Sequence, residues 1–201
     1  MNAQWDGFSR RTVPATELPL TVPYVRDQVL RAANGSVEDG HIENLIAAAV
    51  AAYERETGKA ALAQTWELVL DRFPCGSERI VIPRAPLLAV DSVTYVDTDG
   101  TTQNLATSPA EFQTIPSGEY VRGAIAPLYD ATWPSTRVQP AAVTVTYRCG
   151  HETVDTFPQM ALIGMCQMIA ELYKQRSLSV QDVSTAPSLM GLRDLWRRME
   201  G

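Results

Sequence analysis

Cysteine, histidine and long apolar runs are all scarce in this chain, and each scarcity removes a class of function. The three cysteines, Cys75, Cys149 and Cys166, are an odd number at unrelated spacings, which argues against a disulfide framework and for synthesis in a reducing compartment. The two histidines, His41 and His151, are the first place to look for acid–base chemistry. No apolar run approaches the roughly 18 to 20 residues that span a bilayer, so no membrane association is expected. Arg10-Arg11 is followed by Pro14, Glu17, Pro19 and Pro23, not by the uninterrupted apolar core of an export signal. The glycine patterns that cradle phosphates or expose a nucleophilic serine are missing as well. Basic residues are in the minority, 17 against 23 acidic, for a net charge of -6. A grip on nucleic acid through neutralised phosphates is therefore not expected.

What is present is enough apolar material for a substantial core, 45% of 201 residues. Residues 1–20, with Trp5 and Phe8 as isolated aromatics among prolines and polar residues, have no helical or strand period and read as an N-terminal arm. Pro23 suits a first helical turn, and Val22, Val25, Val29 and Leu30 recur at helical spacing until Asn34-Gly35. Ser36 is placed to cap a second helix whose apolar face is Ile42, Leu45, Ile46, Ala49, Val50 and Tyr53, stopped by Gly58 at its C′ position. From Gln64 to Gly150 the period changes to strands. Trp66, Leu68 and Leu70 alternate with Glu67, Val69 and Asp71, and Val143, Val145 and Tyr147 with Thr144, Thr146 and Arg148. Helical spacing returns after Pro158 in an almost wholly apolar stretch to Arg176, which predicts a helix buried on most sides. A last amphipathic helix carries Leu189, Leu192, Leu195, Trp196 and Met199, flanked by Arg193, Arg197 and Arg198.

The expected fold class is α+β: a small helical bundle with an inserted, mostly antiparallel β module and a C-terminal helical tail. The parts are an arm at 1–20, helical core at 21–62, a β-rich insertion at 63–150, a core helix at 151–178 and a docking segment at 179–201. Chemistry is hard to find in it. Cys149-Gly150-His151 has the look of a nucleophile or metal fragment, but a strand-to-helix turn accounts for Gly150. A zinc site from Cys75, Cys149, His151 and His41 lacks the close cysteine pairs of structural zinc sites. Asp97-Thr-Asp-Gly100 reads as a hairpin turn before it reads as a cation site. No catalytic, metal or cofactor residue is assigned.

One pattern runs through most of the chain. Glu56-Thr-Gly-Lys59 closes a helix and leads into a strand bearing Trp66, then Ile82-Pro-Arg-Ala-Pro-Leu87, an Asp-Gly hairpin and Trp133-Pro134 in a loop. Thr144-Val-Thr-Tyr-Arg-Cys-Gly150 then precedes a helix. Over about residues 18 to 176 this resembles the longer head-tail connector proteins (adaptor or head-completion proteins) of tailed phages and gene transfer agents. The resemblance implies a non-enzymatic adaptor, made in the bacterial cytoplasm and built into the virion neck. In that family such a protein forms a ring, dodecameric by implication, beneath the portal protein, joins a stopper or tail-side ring, and leaves a channel that DNA crosses without specific binding. By the same analogy Leu189, Leu192, Arg193, Trp196, Arg197 and Arg198 are candidate portal contacts. The N-terminal arm with Trp5 and Phe8 departs from shorter relatives. A stopper or tail-terminator ring is the alternative of the same class, and a small enzyme using Cys149 and His151 the alternative of another.

Overall fold

A computed structural model describes residues 7–31, 38–105, 111–117 and 122–174. The fold is α+β and divides into two compact units: Met1–Thr16 with Ala63–Gly150, built of strands, and Glu17–Leu62 with His151–Gly201, built of helices.

The strand unit holds β1 (Gly7–Val13), β2 (Gln64–Leu70), β3 (Ile80–Val81), β4 (Leu87–Val96), β5 (Thr102–Leu105), β6 (Phe112–Ile115), β7 (Ala124–Pro127) and β8 (Val143–Cys149). Five of them form one sheet in the order β1-β2-β8-β4-β5, and β3-β7-β6 form a second. All pairings within both sheets are antiparallel. The alternation read from the sequence sets the central strands. In β8, Val143, Val145, Tyr147 and Cys149 are buried while Thr144, Thr146 and Arg148 are not, and β2 places Leu68 opposite Val145 and Trp66 opposite Tyr147.

The Asp-Gly segment is the turn between β4 and β5. Asp97 Oδ1 accepts from the Asp99 and Thr101 backbone N–H groups at 3.0 and 2.8 Å, and Oδ2 from Gln103 at 2.8 Å. The carboxylate is thus committed to the protein's own donors, and the Gln103 side chain, then the Thr101 N–H, hold its pKa below the usual value.

β1 is a correction. Residues 7–13 were expected in an arm without strand period, yet they pair residue by residue with β2 from Gly7–Leu70 to Val13–Thr65, with a bulge between Arg11 and Val13. Only Ser9 is even half-buried in this strand, so no alternation exists to be read. An edge strand exposed on both faces is held by its backbone ladder, helped by Arg10 on Glu67 (Nε to Oε2, 2.8 Å).

The Trp66 and Ile82–Leu87 segments of the sequence pattern meet in space. Arg84 lies 4.6 Å from the Trp66 ring centre, a cation–π contact. The run around Arg84 is pinned by three hydrogen bonds: Ile82 N–H to the Gly123 carbonyl, Leu87 N–H to Ser117 Oγ, and Gly150 N–H to the Pro86 carbonyl. Beneath it, Trp66 Nε1 and Tyr147 Oη are buried without a hydrogen-bond partner. Burial pushes the Tyr147 phenol pKa up. An unpaired buried hydroxyl already carries its desolvation cost, so Tyr147→Phe is expected to be neutral or stabilising in urea denaturation. A loss beyond about 1 kcal/mol would show that the hydroxyl is bonded.

In the helical unit, α1 (Val22–Tyr24) runs on as a π-helix, Val25–Leu30. Thr21 caps its start and Arg31, in the left-handed conformation at φ 49°, ends it. The expected stop at Asn34-Gly35 and the Ser36 cap lie outside the described residues. α2 (Asp39–Thr57) follows, its first turn tied to the π-helix by Arg26 Nη1 on Asp39 Oδ1 at 2.9 Å. Gly58 (φ 66°) supplies the left-handed residue that ends α2, its N–H reaching the Glu54 carbonyl. Thr57 Oγ1 donates to the Tyr53 carbonyl and accepts from Lys59 N–H, which gives Glu-Thr-Gly-Lys a physical meaning as a helix stop.

A short 3₁₀ turn, Val154–Thr156, leads into α3 (Gln159–Lys174). Ile42, Ile46, Ala49 and Tyr53 of α2 pack in one cluster with Ala161, Met165 and Ile169 of α3. Each large aliphatic there contributes roughly 1.5–3 kcal/mol before entropy.

Candidate assembly surface

The face of α3 opposite that cluster corrects the expectation of a helix buried on most sides. Met160 is 52% and Ile163 50% exposed, and Leu162, Cys166 and Ala170 are only half-buried. An apolar sequence fills all sides of the helix, but α2 and the π-helix cover only part of it. The uncovered part walls a groove of about 660 Å³ whose opposite side comes from residues 19–29, including Leu20, Tyr24 and Val29. Its polar lining consists of Thr21, Gln28, Gln159 and Gln167, with no charged residue. Burial raises the Cys166 thiol pKa, so this cysteine sits in an apolar wall as a poor nucleophile.

The residues singled out for chemistry each have ordinary structural surroundings. Cys149 is fully buried in β8, between β2 and β4, where no substrate reaches the thiol. Gly150 then turns the chain at φ 109°, a conformation that glycine takes without strain. His151 N–H donates to the Ala61 carbonyl, and its ring meets Phe157 edge-on at 5.3 Å. Burial, the largest cause, holds the His151 pKa below its usual 6.5. His41 is exposed on α2 beside the Tyr173 ring, and Cys75 is exposed in the strand unit. Among the described residues no group of His, Cys, Asp or Glu is arranged to hold a metal, and no helix is long and apolar enough to cross a membrane. The candidate portal contacts Leu189, Leu192, Arg193, Trp196, Arg197 and Arg198 lie outside the described residues, as does Trp5.

Solved structures carry the same fold. A chain in the neck of an empty gene transfer agent particle, determined with C6 symmetry, superimposes with a TM-score of 0.72 at 24% identity, covering 94% of this chain and 95% of that one. The fold is that of a gene transfer agent neck chain. A chain of a native gene transfer agent virion matches at TM-score 0.71 and 24% identity, over 94% of this chain and 95% of that one. A chain from the native particle neck determined with C12 symmetry matches at 0.70 and 24%, over 94% of each. No protein-family model matches the chain, and no curated protein matches it in sequence.

The groove is the surface that sequence reasoning missed. The signal available for it was the mismatch between a nearly all-apolar sixteen-residue helix and the few elements able to cover it. Phe8 and Val13, 57% and 51% exposed on edge strand β1, add a second apolar surface in the strand unit.

Proposed function

We propose that this protein is a structural component of a virion neck: an adaptor that joins the head to the tail side and has no catalytic role. The observation that carries this reading is the fold likeness to gene transfer agent neck chains, which spans 94% of the chain and includes both units. The closed burial of Cys149 supports the non-enzymatic reading over a nucleophilic one.

In this reading twelve copies form a ring coaxial with the portal protein, receive a stopper or tail-side ring, and leave an open channel for DNA. A ring requires a heterologous interface, one surface meeting a different one on the next copy. A subunit of two unlike units offers such unlike surfaces. A net charge of -6 suits a conduit, because a wall that bound phosphates tightly would oppose passage. The C-terminal segment, through Leu189, Leu192, Arg193, Trp196, Arg197 and Arg198, is the proposed portal contact, since Trp and Arg dominate binding hot spots. The stopper or tail-terminator role is the neighbouring alternative in the same particle.

Replacing Trp196 and Arg197 together by alanine is expected to weaken attachment to the portal by roughly thirtyfold or more, the effect of losing a hot spot. Circular dichroism of the free subunit should stay unchanged. Portal attachment at wild-type strength would remove the C-terminal docking assignment.

A further inference from the structure

We infer that the apolar groove between α3 and residues 19–29 is a seat for one amphipathic helix of another protein, apolar on the face it inserts and basic on its flanks. The inference concerns this groove alone and does not depend on the neck reading.

The shape of the groove sets the occupant's length. Along α3 it runs from Gln159 to Ala170, about 17 Å at the helical rise, which three turns of a partner helix fill. Ile163 and Tyr24, on opposite walls, are each 50% exposed.

Its chemistry sets the occupant's conformation. In the lining, Leu20, Val29, Leu162 and Cys166 are buried or half-buried, whereas the polar Gln28, Gln159 and Gln167 are exposed. Thr21 already accepts from the Tyr24 N–H as a helix cap. The deep part thus offers no ready partner to a backbone N–H or carbonyl, and both walls are built on helices, with no strand edge to pair with. An extended peptide entering it would leave its own backbone groups unpaired, each at the cost of a lost hydrogen bond. A helix satisfies its backbone internally and inserts only side chains, at i, i+3, i+4 and i+7.

Charge sets the flanks. The lining holds no charged residue. Within two positions of it stand the acids Glu17, Asp27, Glu152, Asp155 and Glu171 and two bases, Arg26 and Arg31, and Arg26 is bonded to Asp27 and Asp39. Lysine or arginine beside the apolar stripe of an incoming helix meets this acidic rim, and a glutamate-flanked helix is repelled by it. Among the described helices of the protein itself none fits, because α2 exposes small and polar residues such as Glu43, Ala47 and Ala48, and α3 is itself a wall.

Two synthetic peptides test this. Both have about eighteen residues, long enough to be helical on contact, and share one leucine face; one carries lysine on its flanks and the other glutamate. Each is labelled with fluorescein and titrated with the full-length protein, and binding is read by anisotropy. N-ethylmaleimide labelling of Cys166, in the groove wall, locates the binding, with exposed Cys75 as the internal reference. The lysine helix is expected to bind about tenfold tighter than the glutamate helix and, at saturation, to slow Cys166 labelling roughly tenfold with Cys75 unchanged. Ile163→Gln, a neutral change at a half-exposed position, should weaken the lysine helix roughly tenfold, with circular dichroism unchanged.

Binding to which Cys166 labelling and Ile163→Gln are both indifferent is adsorption to surface charge and overturns the seat. A lysine helix that does not bind overturns it as well, and equal affinity for the two helices overturns the basic flanks. Sedimentation velocity of the protein alone tests the other occupant: self-association that Ile163→Gln abolishes would place a second copy in the groove and contradict the proposal. No portal is present in these experiments, so their outcomes are independent of the adaptor reading.

Discussion

Trp133→Ala is expected to destabilise the strand unit by about 3–5 kcal/mol, the range for losing a buried large aromatic. Trp133 is 8% exposed although it lies in a loop. Its ring stacks on Phe73 at 4.9 Å with an interplanar angle of 2°, and Phe73 in turn meets Tyr95 of β4 edge-on at 5.5 Å. Its Nε1 donates to the Glu78 carbonyl at 2.7 Å, and its backbone N–H to the Gly76 carbonyl at 3.2 Å. One side chain therefore ties the loop after β2 to the loop after β7 and seats both on β4. Trp133→Phe keeps the stacking and gives up the indole hydrogen bond, so it should cost about 0.5–1.5 kcal/mol beyond its smaller volume. Urea denaturation followed by circular dichroism measures both. A loss below about 1 kcal/mol for the alanine variant would mean that the loops hold without it.

Phe157→Ala should have an effect of the same size, about 3–5 kcal/mol, in the helical unit. Phe157 is 2% exposed and sits between Tyr53 of α2, edge-on at 5.4 Å, and His151 at 5.3 Å. It should also change the pH dependence. The folded His151 pKa lies below its unfolded value near 6.5 because burial disfavours the imidazolium. The neutral histidine's stabilising contribution is thus complete above about pH 6.5 and is lost as pH falls through the folded pKa. Removing the Phe157 ring opens His151 to water, so its pKa should rise toward 6.5 and the acid loss should shrink. NMR titration of the two histidines resolves this, and a His151 pKa that stays in place contradicts burial by Phe157 as the cause.

What was legible in the sequence follows from what leaves a local signature. The α2 face from Ile42 to Tyr53 and its stop at Gly58 came from helical period and capping chemistry. The central strands β2 and β8 came from alternation, because their inner faces are buried. β1 was invisible because an edge strand held by its ladder needs no apolar period, and its partners in β2, Thr65 to Leu70, lie more than fifty residues away in sequence. The role of Trp133 was equally hidden, since its Glu78 contact joins residues 55 apart. For α3 the pattern misled. Apolar residues on all sides say that a helix wants cover, and only the packed neighbours show which side receives none among the described residues. The candidate portal residues were legible as an amphipathic arginine-flanked stripe, and they lie beyond the described part of the chain.

The groove on one unit and the exposed Phe8 and Val13 on an edge strand of the other are the apolar surfaces that the proposed function uses for assembly. The central claim is that these surfaces serve a neck. Its most direct test is co-sedimentation of the purified full-length chain with the portal ring encoded in the same genome. The adaptor account predicts pelleting with the portal in a fixed, saturable ratio. A chain that stays in the supernatant at every concentration, beside a portal ring shown to be intact, would contradict it.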